Sequence, residues 1–180
     1  DPEIVLKAVR HRCGQAIYNV PPHLQLDPAF IMQAIEQRRG QSLVVFFNAR
    51  VAKELKCNLQ VVRCAARQCP ETLRYAGNGI GAKLANDACF RQEHLKGYHI
   101  FVISSMSGNC CTDAYPADYP AHYPSWFLEL KRRALRSLNF EHHHYSGKKV
   151  ALFTSAGVQV EDKTPLAKWV QPGEVLELQL

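Results

Sequence analysis

One phrase near the start of the chain returns at intervals of about thirty residues. D-P-E-I-V-L-K-A-V begins at Asp1 and D-P-A-F-I-M-Q-A-I begins at Asp27. A more divergent version begins at Asn58 (N-L-Q-V-V-R-C-A-A) and a shorter one at Asp87 (D-A-C-F), so the four starts lie 26, 31 and 29 residues apart. Asp and Asn cap helix starts by accepting hydrogen bonds from free N–H groups, and proline is favoured at the first helical position. The phrase is therefore a repeated helix start.

Apolar residues follow each start at helical spacing. They are Ile4, Val5, Ala8 and Val9, then Phe30, Ile31, Ala34 and Ile35, then Val61, Val62, Ala65 and Ala66. A second apolar stretch follows in each unit, at 16–18, 43–47 and 73–76, and a leucine at 24, 55 or 84 closes it. A helix, a turn and a short helix repeated at this period predict stacked helical hairpins, in which each hairpin completes the core of its neighbour.

The opening phrase resembles an uncharacterised helical repeat family whose units begin with aspartate, a short variable step and V-V-L-x-A-V. The match is good at Asp1 and Asp27, more divergent at Asn58, and covers about residues 1–95. The resemblance implies a helical fold and carries no activity with it.

The pattern changes at Tyr98. Residues 98–103 and 150–153 are rich in strand-forming residues, 106–109 form a turn, and 125–138 have the spacing of an amphipathic helix. Residues 175–180 alternate with period two, which places Leu176, Leu178 and Leu180 on one face. We therefore predict an α+β protein with a helical repeat domain over 1–97, a second domain over 98–180, and a junction near Lys96-Gly97.

Three segments of the second half resemble ubiquitin and its relatives: H-I-F-V-I-S-S-M-S-G-N, L-F-T-S-A-G-V-Q-V-E-D and T-P-L-A-K-W-V-Q-P-G-E-V-L-E-L-Q-L. The resemblance spans about residues 98–180 and implies a β-grasp fold. The core that it implies consists of Ile100, Val102, Phe127, Leu130, Ala134, Leu166, Leu176 and Leu178.

The differences from ubiquitin bear on recognition. Glu177 and Gln179 stand where ubiquitin presents His and Val to its receptors, whereas Leu152 fits the position of the receptor patch on the middle strand. Because a charge is costly to desolvate against an apolar groove, ordinary ubiquitin receptors are not expected to bind. No Gly-Gly follows Leu180, so we expect a built-in, non-conjugating ubiquitin-like domain.

Two segments of the second half are candidate partner-binding surfaces. The repeat Y-P-A-D-Y-P-A-H-Y-P at 115–124 predicts an extended arm, which either lies over the protein's own domains or docks a partner through its tyrosines. The predicted helix carries a basic group that is either a solvated face or a contact for an acidic partner. With Leu152, the candidate residues are Tyr115, Tyr119, Tyr123, Lys131, Arg132, Arg133 and Arg136.

The chain offers weak candidates for cofactors. Cys57, Cys64 and Cys69 lack the C-x-x-C spacing of zinc sites, and His142–His144 lie in a predicted loop. The glycine-rich segment 77–83 resembles a phosphate loop, but no strand precedes it and no Ser or Thr follows its lysine. We expect no metal and no nucleotide. Seven cysteines, including the adjacent pair Cys110-Cys111, indicate a reducing compartment.

The net charge of +6 is concentrated in the first half of the chain. Residues 1–97 carry 14 Lys and Arg against 8 Asp and Glu, whereas 98–180 carry 8 against 8. This excess predicts a protein partner with an acidic surface that is contacted mainly by residues 1–97. The first half of the chain lacks a concentrated run of basic residues, so nucleic acid is not expected as a partner. No apolar run approaches the ~20 residues of a membrane span, which leaves peripheral contact with a membrane complex.

No catalytic constellation emerges from the sequence, so an enzyme is not expected. We predict a non-catalytic protein–protein interaction module, an adaptor or scaffold. The alternative is an accessory structural subunit at the periphery of a large photosynthetic or respiratory membrane complex. The sequence shows neither an initiator Met nor a signal sequence, so we expect a fragment or a processed mature form in the cytoplasm, a plastid or a mitochondrion, and not a secreted protein.

Overall fold

The computed structural model of this 180-residue chain describes residues 2–11, 19–38, 40–77, 79–105, 109–118, 130–132, 134–135, 151–160, 169 and 171–179. The chain divides into two compact units, Asp1–Ile80 and Gly81–Leu180. The first is helical and the second carries a five-stranded sheet, which confirms the α+β class. The predicted junction at Lys96-Gly97 lies inside the second unit, between its last helical turn and its first strand.

The helices of the first unit are short. They are α1 (Pro2–His11), α2 (Pro22–Gln25), α3 (Pro28–Glu36), α4 (Gly40–Arg50) and α5 (Leu59–Gln68), with 3-10 turns at Leu55–Cys57 and Pro70–Tyr75. The chain then continues through α6 (Ile80–Asn86), α7 (Ala88–Phe90) and a π-helical turn at Arg91–Leu95.

The predicted helix caps are confirmed at three of the four starts. The side-chain carboxylate or amide oxygens of Asp27, Asn58 and Asp87 each accept a hydrogen bond from a backbone N–H two or three residues ahead, at 2.9 to 3.0 Å. Each therefore satisfies an N–H group that has no partner within its own helix. The fourth start, Asp1, lies outside the described residues.

The predicted apolar stripes of α3 and α5 are confirmed, because all eight of their residues are buried. In the first repeat the prediction is wrong for Ile4, which is 67% exposed, and for Ala8, which is exposed. Val5 is half-buried, and Leu6 is buried instead. Helix α1 packs against α3. Leu6 lies between the positions of the predicted apolar stripe, and the second apolar stretch of this repeat, 16–18, lies outside the described residues.

Within the first unit, helices at equivalent positions of successive repeats pack against one another. Helix α3 contacts α1 and α5, while α4 contacts the Pro70–Tyr75 turn and α5. The predicted short helix at 43–47 is part of the 11-residue α4, which buries Leu43, Val44, Phe46 and Phe47 and leaves Val45 exposed. The core of the first unit thus lies between two rows of helices.

The sheet of the second unit is mixed. Its strands are β1 (Tyr98–Ser104), β2 (Cys110–Pro116), β3 (Leu152–Thr154), β4 (Gln159–Val160) and β5 (Val175–Gln179), in the order β2-β1-β5-β3-β4. Strands β1 and β5 pair in parallel, and the other neighbours pair antiparallel. The described part of the predicted helix, 130–132 and 134–135, is helical.

One face of this sheet carries the core of the second unit. Its buried residues are Phe101, Ile103, Tyr115, Leu130, Ala134, Leu152, Val160 and Leu178, with Leu176 and Trp169 partly buried against them. Leu130, Ala134 and Leu178 are thus confirmed as core, while Phe127 and Leu166 lie outside the described residues. Ile100 and Val102 are buried on the opposite face, because side chains alternate along β1.

Candidate functional site

Tyr115 is part of the core and does not belong to an exposed arm. Its side chain is 4% exposed, its hydroxyl donates to Asp113 Oδ2 at 3.1 Å, and its ring meets Phe101 edge-on at 5.9 Å. Tyr115 lies in β2, opposite His99 of β1. The first two residues of the Tyr-Pro segment, 115 and 116, are therefore the last two residues of this strand. The prediction of Tyr115 as a partner contact is therefore wrong.

Leu152 is also in the core, with no exposed surface. Its neighbour Phe153 points the other way, is 38% exposed and pairs in register with Gln179 of β5. The resemblance to ubiquitin predicted Leu152 as the outward residue, but a shift of one position along a strand exchanges its two faces. The outward apolar residue of β3 is therefore Phe153.

The structure describes only two of the remaining candidate partner-binding residues, and these two do not define a binding surface. Lys131 is half-buried and Arg132 is exposed, both on the helix that covers the core. Four further candidates lie outside the described residues: Tyr119, Tyr123, Arg133 and Arg136. The partner-binding role of this helix stays a prediction.

The outward face of β5 and β3 forms an exposed strip. Glu177 and Gln179 are exposed, as the alternation of β5 predicts. Phe153 lies opposite Gln179 on one side and opposite Gln159 of β4 on the other. We call these four residues, Phe153, Gln159, Glu177 and Gln179, the β5 strip. It combines one exposed aromatic ring with one carboxylate and two amides.

A shallow cleft of about 490 Å³ adjoins this strip and includes Glu177. The residues that line it are Asn86, Arg91, Ser155, Gly173, Glu174, Val175, Leu176 and Glu177. We call it the β5 cleft. Strand β3 ends at Thr154, which pairs with Leu178, and the next residue, Ser155, lines the cleft together with Glu177. The cleft thus continues the strip toward the start of β5.

Local hydrogen bonds hold the walls of the β5 cleft. Arg91 Nη1 donates to the carbonyl oxygen of Ala85 at 3.2 Å, which ties this guanidinium to the end of α6. Glu174 Oε2 accepts from the backbone N–H of Gln171 at 3.2 Å. Gly173 adopts a left-handed conformation (φ 84°), and its N–H donates to the carbonyl oxygen of Tyr98 at 2.8 Å. These contacts fix the turn that leads into β5.

The charges of the cleft favour recognition of a polar ligand. Glu174 and Glu177 contribute two carboxylates and Arg91 contributes one cation, so the charged lining sums to −1. Ser155 supplies the hydroxyl of the lining, and neither histidine nor cysteine stands among the described lining residues to activate it. The arrangement can form ion pairs and hydrogen bonds with a bound segment.

The alternation of β5 predicts the outward positions of Glu177 and Gln179, whereas the sequence does not predict the rest of this surface. Arg91 and Asn86 belong to the segment interpreted as a divergent fourth repeat, and nothing in its spacing links them to β5. Ser155 and Phe153 lie in the segment that resembles ubiquitin, where the correct strand parity would have found Phe153. Only the fold brings the cleft residues together.

None of the six cysteines that the structure describes forms a disulfide, and all but Cys89 are at least partly buried. Burial raises the pKa of Cys111 to about 12, with further contributions from Asp113 and Cys110. Burial and Glu71 raise the pKa of Cys69 to about 11, and burial and Glu36 raise the pKa of Cys64. These thiols are protonated at neutral pH and therefore weak nucleophiles and ligands. The described residues include no group of three or more His, Cys, Asp or Glu arranged to hold a metal ion.

Part of the positive charge of the first unit lies inside it. Arg38 is 5% exposed, and its guanidinium carbon lies 4.3 Å from the centre of the Phe46 ring. Lys56 is half-buried, its Nζ donates to the carbonyl oxygen of Asn48 at 2.7 Å, and desolvation lowers its pKa. The net charge of residues 1–97 therefore overstates the basic surface that a partner can meet.

The glycine-rich segment serves packing in the described structure. The N–H of Gly77 donates to the carbonyl oxygen of Lys56 at 2.9 Å, and a Cβ at Gly77 would lie 2.5 Å from Cys57 Sγ. Gly79 has the positive φ (70°) that the sequence predicts. The 3-10 turn that precedes this segment, Pro70–Tyr75, replaces the strand that a phosphate loop requires.

Comparisons with family models, curated proteins and solved structures found no match for this chain. Within the part of the chain that the structure describes, no helix has both the length and the apolar composition needed to cross a membrane.

Proposed function

We propose that this protein is a non-catalytic protein–protein interaction module, an adaptor built from helical repeats and a ubiquitin-like domain. It binds a partner through the β5 strip and the β5 cleft of the second unit. The observation that carries this proposal is the outward face of β3 and β5. On this face, the exposed ring of Phe153 belongs to a strip that adjoins the polar, charged β5 cleft.

The packing of the first unit supports the helical repeat. Helices that begin at the capping residues Asp27 and Asn58 bury the same four positions of their apolar stripes. These two helices contact each other, and so do α4 and the Pro70–Tyr75 turn that follow them. This is how neighbouring units of a stacked repeat share a core.

The sheet order supports a ubiquitin-like domain. The first and last strands pair in parallel at the centre, a hairpin flanks β1, and the β3–β4 hairpin completes the other side. This is the arrangement of a β-grasp sheet. Leu130 and Ala134, on a helical segment between β2 and β3, contact its core face as the β-grasp helix does.

The composition of the β5 strip supports protein recognition of a kind different from that of ubiquitin. Interfaces commonly combine a central aromatic anchor with a polar rim, and Phe153 beside Gln159, Glu177 and Gln179 offers that combination. An apolar receptor groove would have to desolvate Glu177, which costs several kcal/mol unless a partner supplies a compensating group. The partner therefore presents polar groups to this face.

Affinity capture with matched variants tests the proposal. The full chain is immobilised as wild type, as Phe153→Ser, as Glu177→Arg, and as Glu54→Gln, which alters an exposed carboxylate of the first unit. We expect one set of proteins to bind wild type and Glu54→Gln and to be lost from both variants of the second unit. Binding that survives both of those variants contradicts the proposal.

A salt series separates the adaptor from the structural-subunit alternative. If the protein is an adaptor, its electrostatic contacts through Glu177 weaken as the Debye screening length shortens to ~3 Å at 1 M salt. Membrane-complex subunits retained in stoichiometric amounts through that wash would instead favour an accessory subunit.

A further inference from the structure

We propose that the β5 cleft and strip recognise an extended segment of a protein partner that carries a lysine or arginine and, two residues away, an apolar side chain. The cation is received by Glu174 and Glu177, and the apolar side chain packs on Phe153. This inference rests on the proposed function and specifies the chemistry of the partner.

The spacing of the two contact points follows from the sheet register. Phe153 lies opposite Gln179, and Glu177 is two residues before Gln179 on the same face. Phe153 and Glu177 are therefore diagonal neighbours, which places their Cβ atoms about 7 Å apart. Residues i and i+2 of an extended segment lie on one face at about the same spacing, since each residue advances ~3.3 Å.

The charge at one end of this surface selects a cation. Glu174 and Glu177 are both exposed and both line the cleft, and one carboxylate oxygen of Glu174 accepts from the N–H of Gln171. Arg91, the cation of the lining, donates to the carbonyl oxygen of Ala85, so part of its donor capacity is already used. A lysine or arginine of the partner meets two carboxylates here, whereas an acidic side chain would be repelled by them.

The other end of the surface selects an apolar group. Phe153 exposes 38% of its side chain, and Val158 of the adjoining turn exposes 52%. The polar neighbours Gln159 and Gln179 border the ring in the sheet. Covering Phe153 with an aliphatic side chain removes apolar surface from water, which supplies the affinity that an exposed ion pair does not.

NMR titration of the ¹⁵N-labelled full chain tests the inference with defined peptides. The probe is acetyl-Arg-Ser-Leu-amide, and its matched control replaces arginine by citrulline, which keeps the shape and removes the charge. Acetyl-Glu-Ser-Leu-amide reverses the charge, and acetyl-Arg-Ser-Ser-amide removes the apolar group. We expect saturable shifts at the amides of Phe153, Ser155 and residues 173–179. The arginine peptide should bind about threefold more tightly than the citrulline peptide, the range expected for a solvent-exposed ion pair.

Two variants locate the cation. Glu177→Gln and Glu174→Gln both keep an oxygen acceptor, so the bond from Gln171 N–H can persist in the second variant. We expect each to bring the affinity for the arginine peptide toward that of the citrulline peptide, while Glu54→Gln leaves it unchanged. Equal binding of the arginine and citrulline peptides, shifts confined to other surfaces, or full affinity in both variants would overturn the inference.

The peptide titration and the capture experiment can fail separately. If capture depends on Phe153 and Glu177 but the arginine and citrulline peptides bind equally, the inference is wrong and the proposed function is supported. If the surface binds the arginine peptide selectively but no protein is captured, the proposed function is wrong and recognition of a cation by this surface is supported.

Discussion

Alanine at Gly157 and alanine at Gly97 should shift the stability of the second unit in opposite directions. Gly157 has φ 76° in the turn between β3 and β4, whereas Gly97 lies outside the left-handed region. A Cβ at either position would meet no atom within 4 Å, so neither substitution creates a steric clash. The two changes are chemically identical and differ only in backbone conformation.

The expected magnitudes follow from that difference. Alanine in the left-handed region costs about 1–2 kcal/mol, so Gly157→Ala should lower the free energy of unfolding by that amount. At Gly97, alanine restricts the unfolded chain and strains nothing in the fold, which should raise the free energy of unfolding by about 0.4–1 kcal/mol. The two variants should therefore differ by roughly 1.5–3 kcal/mol.

Urea denaturation followed by tryptophan fluorescence measures this difference in the right unit. Both tryptophans, Trp126 and Trp169, belong to the second unit. Gly173→Ala provides a third point, because Gly173 has φ 84° and its Cβ would also lie 3.4 Å from the Cα of Lys96. It should cost at least as much as Gly157→Ala. Equal effects at Gly157 and Gly97, or stabilisation at Gly157, would refute the assignment of this turn.

Three further predictions concern the first unit and the thiols. Asn58→Ala should cost about 1 kcal/mol and Asn58→Asp much less, measured by far-UV circular dichroism in urea, because only the carboxylate replaces the capping oxygen; equal losses would contradict the cap. A double-mutant cycle of Arg38→Met and Phe46→Leu should give a coupling of about 0.5–2 kcal/mol, whereas additive effects would show that the 4.3 Å contact contributes nothing. The unfolded chain loses the Cys111 proton near its ordinary pKa of 9.0 and the folded chain near 12, so stability should fall as pH rises between these values. Cys111→Ala should remove that part of the fall, and an unchanged alkaline profile in this variant would contradict the burial of Cys111.

The sequence allowed accurate prediction wherever local interactions decide the structure. The caps at Asp27, Asn58 and Asp87 use hydrogen bonds that span two or three residues, so composition and position suffice to identify them. The buried stripes of α3 and α5 follow from a strong 3.6-residue period. Glu177 and Gln179 were correctly placed outward because β5 alternates without interruption.

Prediction failed where tertiary contacts choose between two local solutions. Strand β1 is apolar at four consecutive positions, 100–103, so its sequence gives no clue to which face carries Phe101 and which carries Ile100, and both of these residues are buried. Leu152 and Phe153 are both apolar and adjacent, and pairing with β5 decides which one points outward. Helix α1 shows the same ambiguity, since both Ile4 and Leu6 could have faced α3.

The candidate site was the least predictable part. Arg91 and Glu177 are separated by more than eighty residues in the sequence, and only the fold places both in the β5 cleft. The basic excess of residues 1–97 pointed to a surface, but Arg38 is buried and Lys56 is half-buried. Net charge counts side chains without regard to burial, so it overstates the basic surface of this segment, and the acidic partner stays a prediction.

Site-specific photo-crosslinking tests the central claim most directly. A photoreactive phenylalanine analogue is placed at Gln179 on the β5 strip in one sample and at Val45, 47% exposed on α4, in another. Both samples are irradiated in extract of the source organism. The account predicts a defined crosslinked protein at Gln179, competed by acetyl-Arg-Ser-Leu-amide, and none at Val45. A crosslink at Val45 with none at Gln179 would contradict it.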